Sequence, residues 1–543
     1  MSTSDDTSII PTRALVRWRD EALTYLPHAN VILISLLLSS AIIDAGLLSG
    51  AHHRVQAAML TAFILILLPV RASDVSRPLL YVHRTIMILF AAFAAVSYPV
   101  FVDEYLESDW MRLVLKEIQW IAPVAAVLGW WRPAFGLIPV VMAAWRKDGM
   151  EQLFGFTLNA TDYYIVAELM IFVCVAIGIV RFADWVRGGR APDARDGETW
   201  SLGQVAFVAA FALHLANYFY SAVAKMTLPG AGLFSWALEN ETHNIMMATA
   251  IIGLGPLQGH EWLAKAGLQA MAAAWPVTNW LTLGLQLAAL MALFRVNWGI
   301  LMTGIYDIMH LAIFVTTGIL FWKWMTLNLG LVLALRHLPT RGAPPWPVIA
   351  IGVLVLVFSP QLFRIATLGW FDAAANTTPR FEAILEDGSS VRVPSNFFLD
   401  GATQVAKTKF SGFPDGHFEY ITVFGKAKRG LDQMRASLTC DLEVGEASGL
   451  SEHLESDPRL EAYIRNHHAW IVEAAGDDGY FPYNWFPHHN WANPRVFTDF
   501  AEVDLRQIVA YRYVLTSECF RHDGEGGIIR IPKLRGEHVI DVR

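Results

Sequence analysis

Residues 202–226 read LGQVAFVAAFALHLANYFYSAVAKM, an apolar run whose only charge, Lys225, stands at its far end. The run is long enough to cross a bilayer as a helix. His214, Tyr218, Ser221 and Lys225 follow at offsets of four, three and four, so a helix collects all four on one face. Ionisable groups inside a span are expensive, and they face a cavity, a partner or a substrate path. A lysine partly removed from water also gives up its proton more readily, which suits a base or a nucleophile. The alternative is a lysine at the interface that snorkels its ammonium into water. Position alone leaves both readings open.

Working outward, the 543-residue chain is 54% hydrophobic and only 17% charged, and it repeats such runs. Several runs of about 18 or more residues with almost no charge identify a polytopic α-helical membrane domain. A net charge of −8 and the lack of a basic tract give no support for nucleic-acid binding. Arg13, Arg17 and Arg19 precede LPHANVILISLLLSSAIIDAGLLSG, which lacks a small-residue cleavage site and reads as a retained helix rather than a removed signal. Trp120, Trp130, Trp131, Trp145, Trp322 and Trp324 sit at run ends, as interfacial belts do.

Apolar runs lie near 31–49, 56–70, 84–102, 118–145, 162–182, 202–226, 244–256, 278–296, 300–322 and 346–366. Some are short for a hydrocarbon layer of about 30 Å, which predicts about 8–10 transmembrane or re-entrant helices. Pro133 and Pro139 interrupt the fourth run; Lys323 and Asn328 interrupt residues 300–336. Arginines flank alternate connections: Arg13, Arg17 and Arg19, then Arg71, Arg77 and Arg84, then Arg181, Arg187, Arg190 and Arg195, then Arg336 and Arg341. The acidic segment DEYLESD, 103–109, falls on the opposite side. Positive-inside counting places the N-terminal segment, 1–30, in the cytoplasm, the helical domain over 31–366, and residues 367–543 outside. The implied location is a bacterial inner membrane with a periplasmic C-terminal domain, and Lys225 near the outer face.

That last domain is a different kind of sequence. Apolar runs stop, and Asp387-Gly388 between FEAILE and SSVRV marks a hairpin. Segments 418–425, 507–515 and 527–531 predict strands and 458–475 an amphipathic helix, together one external α+β domain. Of three cysteines, Cys174 lies in an apolar run, while Cys440 and Cys519 lie here. In an oxidising compartment they form a disulfide; the alternative is two unpaired structural thiols.

Further polar groups interrupt the helical domain. Asp307 and His310, in GIYDIMHLAIFVTTGILFWKWM, are three apart and can make a carboxylate-oriented imidazole or a pair satisfied by a neighbouring helix. Asn159, Asp162 and Tyr163 open another span, with Glu168 deeper, and Asp44 interrupts the first. Four carboxylates, two histidines and Lys225 in apolar runs exceed what packing demands, so a shared cavity is the economical expectation. In the external domain His467-His468 and His488-His489, with His417 and His453, invite a metal reading. Adjacent histidines diverge, however, and no compact spacing such as HExxH occurs, so no metal is expected. The stretch GYFPYNWFPHHNW reads instead as a packed aromatic loop touching the membrane or a partner. P-loop, GxSxG, CxxCH and CxxC motifs are missing, and a haem held by His214 and His310 has no companion pattern.

Two segments resemble the vitamin K-dependent gamma-carboxylase superfamily, in its bacterial branch with the horizontally transferred transmembrane domain. YFYSAVAKMTLPGAGLFSWALEN, 218–240, is similar to the family's aromatic helix ending in lysine with a tryptophan downstream, here Trp236. HLAIFVTTGILFWKWMTLN, 310–328, is similar to its histidine-led segment, and LNATDYYIVAEL, 158–169, to a segment that opens Asn-His. The resemblance covers roughly residues 10–366. It implies that Lys225 corresponds to the base that deprotonates reduced vitamin K, after which an oxygenated quinone species removes a proton from glutamate and carbon dioxide is captured. This chain departs from the pattern where Asn159 is followed by Ala160, leaving Asp162 as the nearest ionisable group. Trp236 also stands further from the lysine than in the animal enzyme.

The resulting expectation is an integral-membrane enzyme. Lys225 is its base, and Asp307 and His310 orient it or relay the proton, with His214 and Asp162 as further catalytic candidates. Tyr218, Ser221 and Trp236 contact a quinone-like or lipidic molecule. The alternative is a non-catalytic subunit that assembles a larger membrane complex through its external domain, whose aromatic clusters suit a protein partner. A transporter is disfavoured because the two halves show no internal repeat.

Overall fold

A computed structural model describes residues 9–49, 53–96, 109–154, 161–186, 200–228, 232–372, 374–394, 396–398, 424–425, 435, 440, 458–483 and 491–543. The helices are α1 (Ile9–Asp44), α2 (His53–Leu67), α3 (Arg77–Val96), α4 (Asp109–Gly129), α5 (Leu137–Phe154), α6 (Thr161–Val186) and α7 (Leu202–Met226). They continue with α8 (Ser235–Glu239), α9 (His243–Ile252), α10 (Glu261–Leu287), α11 (Val296–Thr317), α12 (Trp322–Leu335) and α13 (Trp346–Phe358). The C-terminal region adds β1 (Phe371–Asp372), β2 (Ala375–Leu385), β3 (Ser390–Arg392), β4 (Phe424–Gly425), α14 (Pro458–Ala474), α15 (Thr498–Ala501), β5 (Ile508–His522) and β6 (Ile528–Asp541).

Six helices are long and apolar enough to cross a membrane, with three shorter apolar helices, Arg54–Leu67, His243–Ile252 and Trp346–Gln361, among the described residues. This is the architecture of a multi-pass membrane protein. The long spans are fewer than the runs, because several runs are broken. Residues 118–145 form α4 and α5 joined by a 3-10 turn at Pro133–Gly136, and Pro139 sits in the first turn of α5, where a missing N–H is tolerated. Residues 300–336 divide at Gly318, whose φ of 71° ends α11 in a left-handed cap. A Cβ there would meet the Leu254 carbonyl oxygen at 2.1 Å, so only glycine fits.

Helix α7 is central: 89% of its apolar stretch lies buried against other helices, and only 22% of α11's does. Its alanines at 206, 209, 210, 212 and 216 are wholly buried and let neighbouring helices approach closely. Its N-terminus carries a capping box, in which Gln204 N–H donates to Ser201 Oγ at 3.3 Å and Ser201 N–H to Gln204 Oε1 at 2.8 Å. The tryptophan belt is partial. Trp120, Trp130 and Trp131 are exposed, whereas Trp324 is buried and Trp145 is a core residue whose indole donates to Leu47 O at 2.8 Å.

After α13 an extended strap, residues 363–369, leads into the sheet region. A four-stranded antiparallel sheet runs β3-β2-β5-β6, and β1 pairs with β4. The Asp387-Gly388 turn joins β2 to β3 with Gly388 at φ 81°. Strands β5 and β6 outrun the expected segments because their polar positions are partnered; Glu518, 1% exposed, takes both Arg530 nitrogens at 2.7 Å. One sheet face, with Phe381, Tyr511 and Tyr513, packs with α14 residues Tyr463, Ile464 and Ile471. At the other face Phe520 and Ile528 meet Ile245 and Met246 of α9. Cys440 and Cys519 form a disulfide with Cα atoms 5.9 Å apart, as an oxidising compartment permits. Strand 418–425 is described only at Phe424–Gly425, and His417, His453, His488 and His489 lie outside the described residues.

Candidate functional site

The helical offsets of α7 deliver its polar face to the strap and to α11 and α12. At the end of the helix Lys225 is 5% exposed. Its Nζ donates to Ser221 O at 3.3 Å and to Leu368 O, with the rings of Trp236 and Trp370 at 5.1 and 5.7 Å. Lys225 is therefore enclosed by protein rather than turned out to the surface. The charge acting on it is that of Asp372 in β1, a residue that sequence reasoning did not single out.

Asp372 is itself tightly held. Asn240 Nδ2 donates to its Oδ2 at 2.8 Å while its own N–H donates to Asn240 Oδ1 at 2.7 Å, and the Trp370 indole donates to Oδ1 at 2.9 Å. Burial pushes the Asp372 carboxyl up to about 7, against the pull of these hydrogen bonds and of the Lys225 charge. Trp236 completes the enclosure by donating its indole N–H to Trp370 O at 2.8 Å. The only sequence signal for Trp370 and Asp372 was their place just beyond the last apolar run.

About 16 Å further into the bundle, at 1.5 Å per residue, a second cluster gathers around Asn328 of α12. His214 Nε2 meets Asn328 Oδ1 at 2.7 Å, and Asn328 Nδ2 donates to Asp307 Oδ1 at 2.7 Å and to the Tyr218 hydroxyl at 3.1 Å. Tyr218 stacks on Tyr306 at 3.9 Å and lies 5.9 Å from the His310 ring. Asp307 thus serves Asn328 rather than orienting His310, whose Nδ1 has no hydrogen-bond partner. Neither Asp307 nor His310 pairs with Lys225, because Tyr218 and Lys225 are separated by two turns of helix. Asn328, which looked like a mere interruption, is the hub.

Between the clusters the α7 face grips the strap. Asn217 Oδ1 accepts from Ala366 N–H at 2.8 Å, and the Ser221 hydroxyl donates to Ala366 O at 3.1 Å and accepts from Leu368 N–H at 3.3 Å. Ser221, expected to touch a bound molecule, is occupied by backbone. The strap lies so close that a Cβ on Gly369 would fall 2.6 Å from the Ala224 carbonyl carbon.

Glu168 of α6 joins from the side: it accepts Arg364 N–H at 2.6 Å and pairs with Arg364 Nε at 3.3 Å, while that guanidinium lies over the Tyr164 ring at 4.3 Å. Asp162 opens α6, but its side chain, like Asn159, lies outside the described residues. No group of three or more metal-ligating side chains occurs among the described residues. His467 and His468 are instead core histidines, bonded to Phe397 O at 3.1 Å and the Tyr511 hydroxyl at 3.0 Å. Compared with known proteins, the chain matches no family model, no curated protein and no solved structure.

Proposed function

We propose that the protein is a multi-pass enzyme of a bacterial inner membrane, related in architecture to the gamma-carboxylase superfamily. In this reading the N-terminus is cytoplasmic and residues after about 367 are periplasmic. Lys225 is the base, and the substrate is a reduced quinone or similar lipidic hydroxyl compound. The observation that carries the reading is the seating of Lys225: a buried amine, two carbonyl acceptors and two indole walls, with Asp372 as the charge acting on it. Two carbonyls account for both N–H bonds of a neutral amine and leave its lone pair for a substrate proton. On proton transfer the substrate hydroxyl becomes an oxyanion and Lys225 an ammonium, whose charge the Asp372 carboxylate offsets. Tyr218, Asn328 and Asp307 stiffen the helix below.

The test uses the full chain in liposomes with reduced menaquinone and oxygen, following quinone formation optically. Turnover by the wild type and its loss in folded Lys225→Met is expected. An inactive wild type removes the quinone reading, and turnover retained by Lys225→Met removes the lysine.

One observation favours a second reading, a non-catalytic subunit: Asn217, Ser221 and Lys225 all hold the strap that ties the bundle to the sheet region. A stoichiometric protein partner retained in mild detergent would favour it over the enzyme.

A further inference from the structure

Within the bundle, a cavity of about 10 Å³ lies among α6, α7, α12 and the strap, and both Glu168 and His214 line it. Each carries a buried polar atom with no hydrogen-bond partner among the described residues: Glu168 Oε1, which is ion-paired with Arg364 Nε at 3.3 Å, and His214 Nδ1. The two side chains are 1% and 2% exposed, so outside solvent cannot satisfy these atoms.

The chemistry of the His214 atom can be derived. Asn328 Nδ2 must face the Asp307 carboxylate, which only accepts, so Asn328 Oδ1 faces His214. Nε2 therefore donates, and in the neutral ring Nδ1 is left as an acceptor. With Glu168 ionised, the cavity joins two acceptors that no hydrogen bond meets. Two of the donor-bearing side chains that also line it are turned to other partners: Arg364 is ion-paired to Glu168, and Asn217 donates to Leu213 O and His214 O. A water molecule has two hydrogens to donate, and this volume suits one water.

We infer that a single water is bound between Glu168 and His214, and that the three form a proton-exchange site inside the bundle, separate from Lys225. When Glu168 takes up a proton its carboxyl becomes the donor to the water, and that proton then leaves for the water as the water passes one of its own to His214 Nδ1. The products are a carboxylate held by Arg364 and an imidazolium whose Nε2–H stays on Asn328. The surrounding charges are Arg364 of the strap and Asp44 of α1 beside Glu168; facing His214 are His310 and Asp307 of α11 and Tyr218 on its own helix. The site stands whether or not the substrate is a quinone.

The test is made on the full chain in lipid nanodiscs, without any assay of turnover. With histidine nitrogens labelled, the resonance lost in His214→Phe is expected to report an Nε2-protonated ring whose Nδ1 accepts a hydrogen bond. An Nδ1-protonated ring overturns the proposal, and this wild-type reading stands even if a variant fails to fold. Infrared difference spectra across a pH step, in ordinary and oxygen-18 water, should show an isotope-sensitive bound-water band and a protonated-carboxyl band. Glu168→Gln should abolish the carboxyl band and shift the water band. Absence of the water band in the wild type, or both bands unchanged in folded Glu168→Gln, overturns it.

Discussion

The helix bundle and the sheet region both bury histidines, and each leaves a ring nitrogen without a partner, yet the two cases differ. His467 Nδ1 is unpartnered, but the ring is packed by Phe397, Phe398, Tyr463 and Trp470 after Nε2 has met Phe397 O. His214 lines a water-sized cavity together with Glu168, whose Oε1 has no hydrogen bond and is met by the Arg364 ion pair. An orphaned nitrogen alone says only that burial was tolerated. Two such atoms on residues that line one small space are what the proposed water site rests on. In the bundle His214 shares Asn328 with Tyr218 and Asp307, whereas His467 meets a single backbone carbonyl.

The sharpest way to break this comparison is to remove the hub. Asn328→Leu leaves His214 Nε2, Tyr218 and Asp307 without their partner and is expected to cost about 4 kcal/mol, at 1–3 kcal/mol for each unmet group. Thermal unfolding in detergent should show the loss; a shift like that of a surface variant would mean that the groups find other partners.

The next effect belongs to the sheet region and depends on pH. Burial pushes His467 down to about 3 and His468 down to about 4, so the native state holds them neutral. An unfolded histidine titrates near 6.5, so the stabilising term is complete above that value and is lost as pH falls below it. Lowering pH from 7 to 4 should cost on the order of 3 kcal/mol through His467 alone. Urea titrations over this range check it, and His467→Gln should flatten the profile.

Smaller again is the strap. Gly369→Ala forces a methyl against the backbone of α7 at Ala224 and is expected to destabilise by about 2 kcal/mol, within the usual range for overpacking. Gly388→Ala meets nothing within 4 Å, so only its left-handed φ matters, at about 1 kcal/mol. Melting curves of the two variants should keep that order. A reversal would show that the strap is held more loosely than its hydrogen bonds suggest.

What sequence alone could supply follows the range of the interactions. Helix α7 and the facing of His214, Tyr218, Ser221 and Lys225 follow from periodicity, as do α14 and the 387–388 turn. The Cys440–Cys519 pairing was legible because compartment and cysteine count converge on it. The partners were not legible. Lys225 meets Leu368 and Asp372, and Ser221 meets Ala366, across well over a hundred residues, and no local pattern reports such a meeting. Gly318 shows the same limit in the fold: an apolar stretch looked continuous, and the turn that divides it is demanded by the approach of Leu254. Trp145 resembled a belt residue because composition cannot tell a helix end facing lipid from one facing Leu47.

The sheet's register also sets a timetable for biosynthesis. Strand β2 lies between β3 and β5, and its pairing of Phe381 with Tyr513 spans more than a hundred residues of chain. While those residues are still being made, β2 and β3 form only a short hairpin, and the edge destined for β5 stays open. Cys440 likewise emerges long before Cys519, its partner 79 positions later. The nascent domain therefore passes through an interval with an unpaired strand edge and a reactive thiol, when shielding by a chaperone and access to an oxidant would decide the yield.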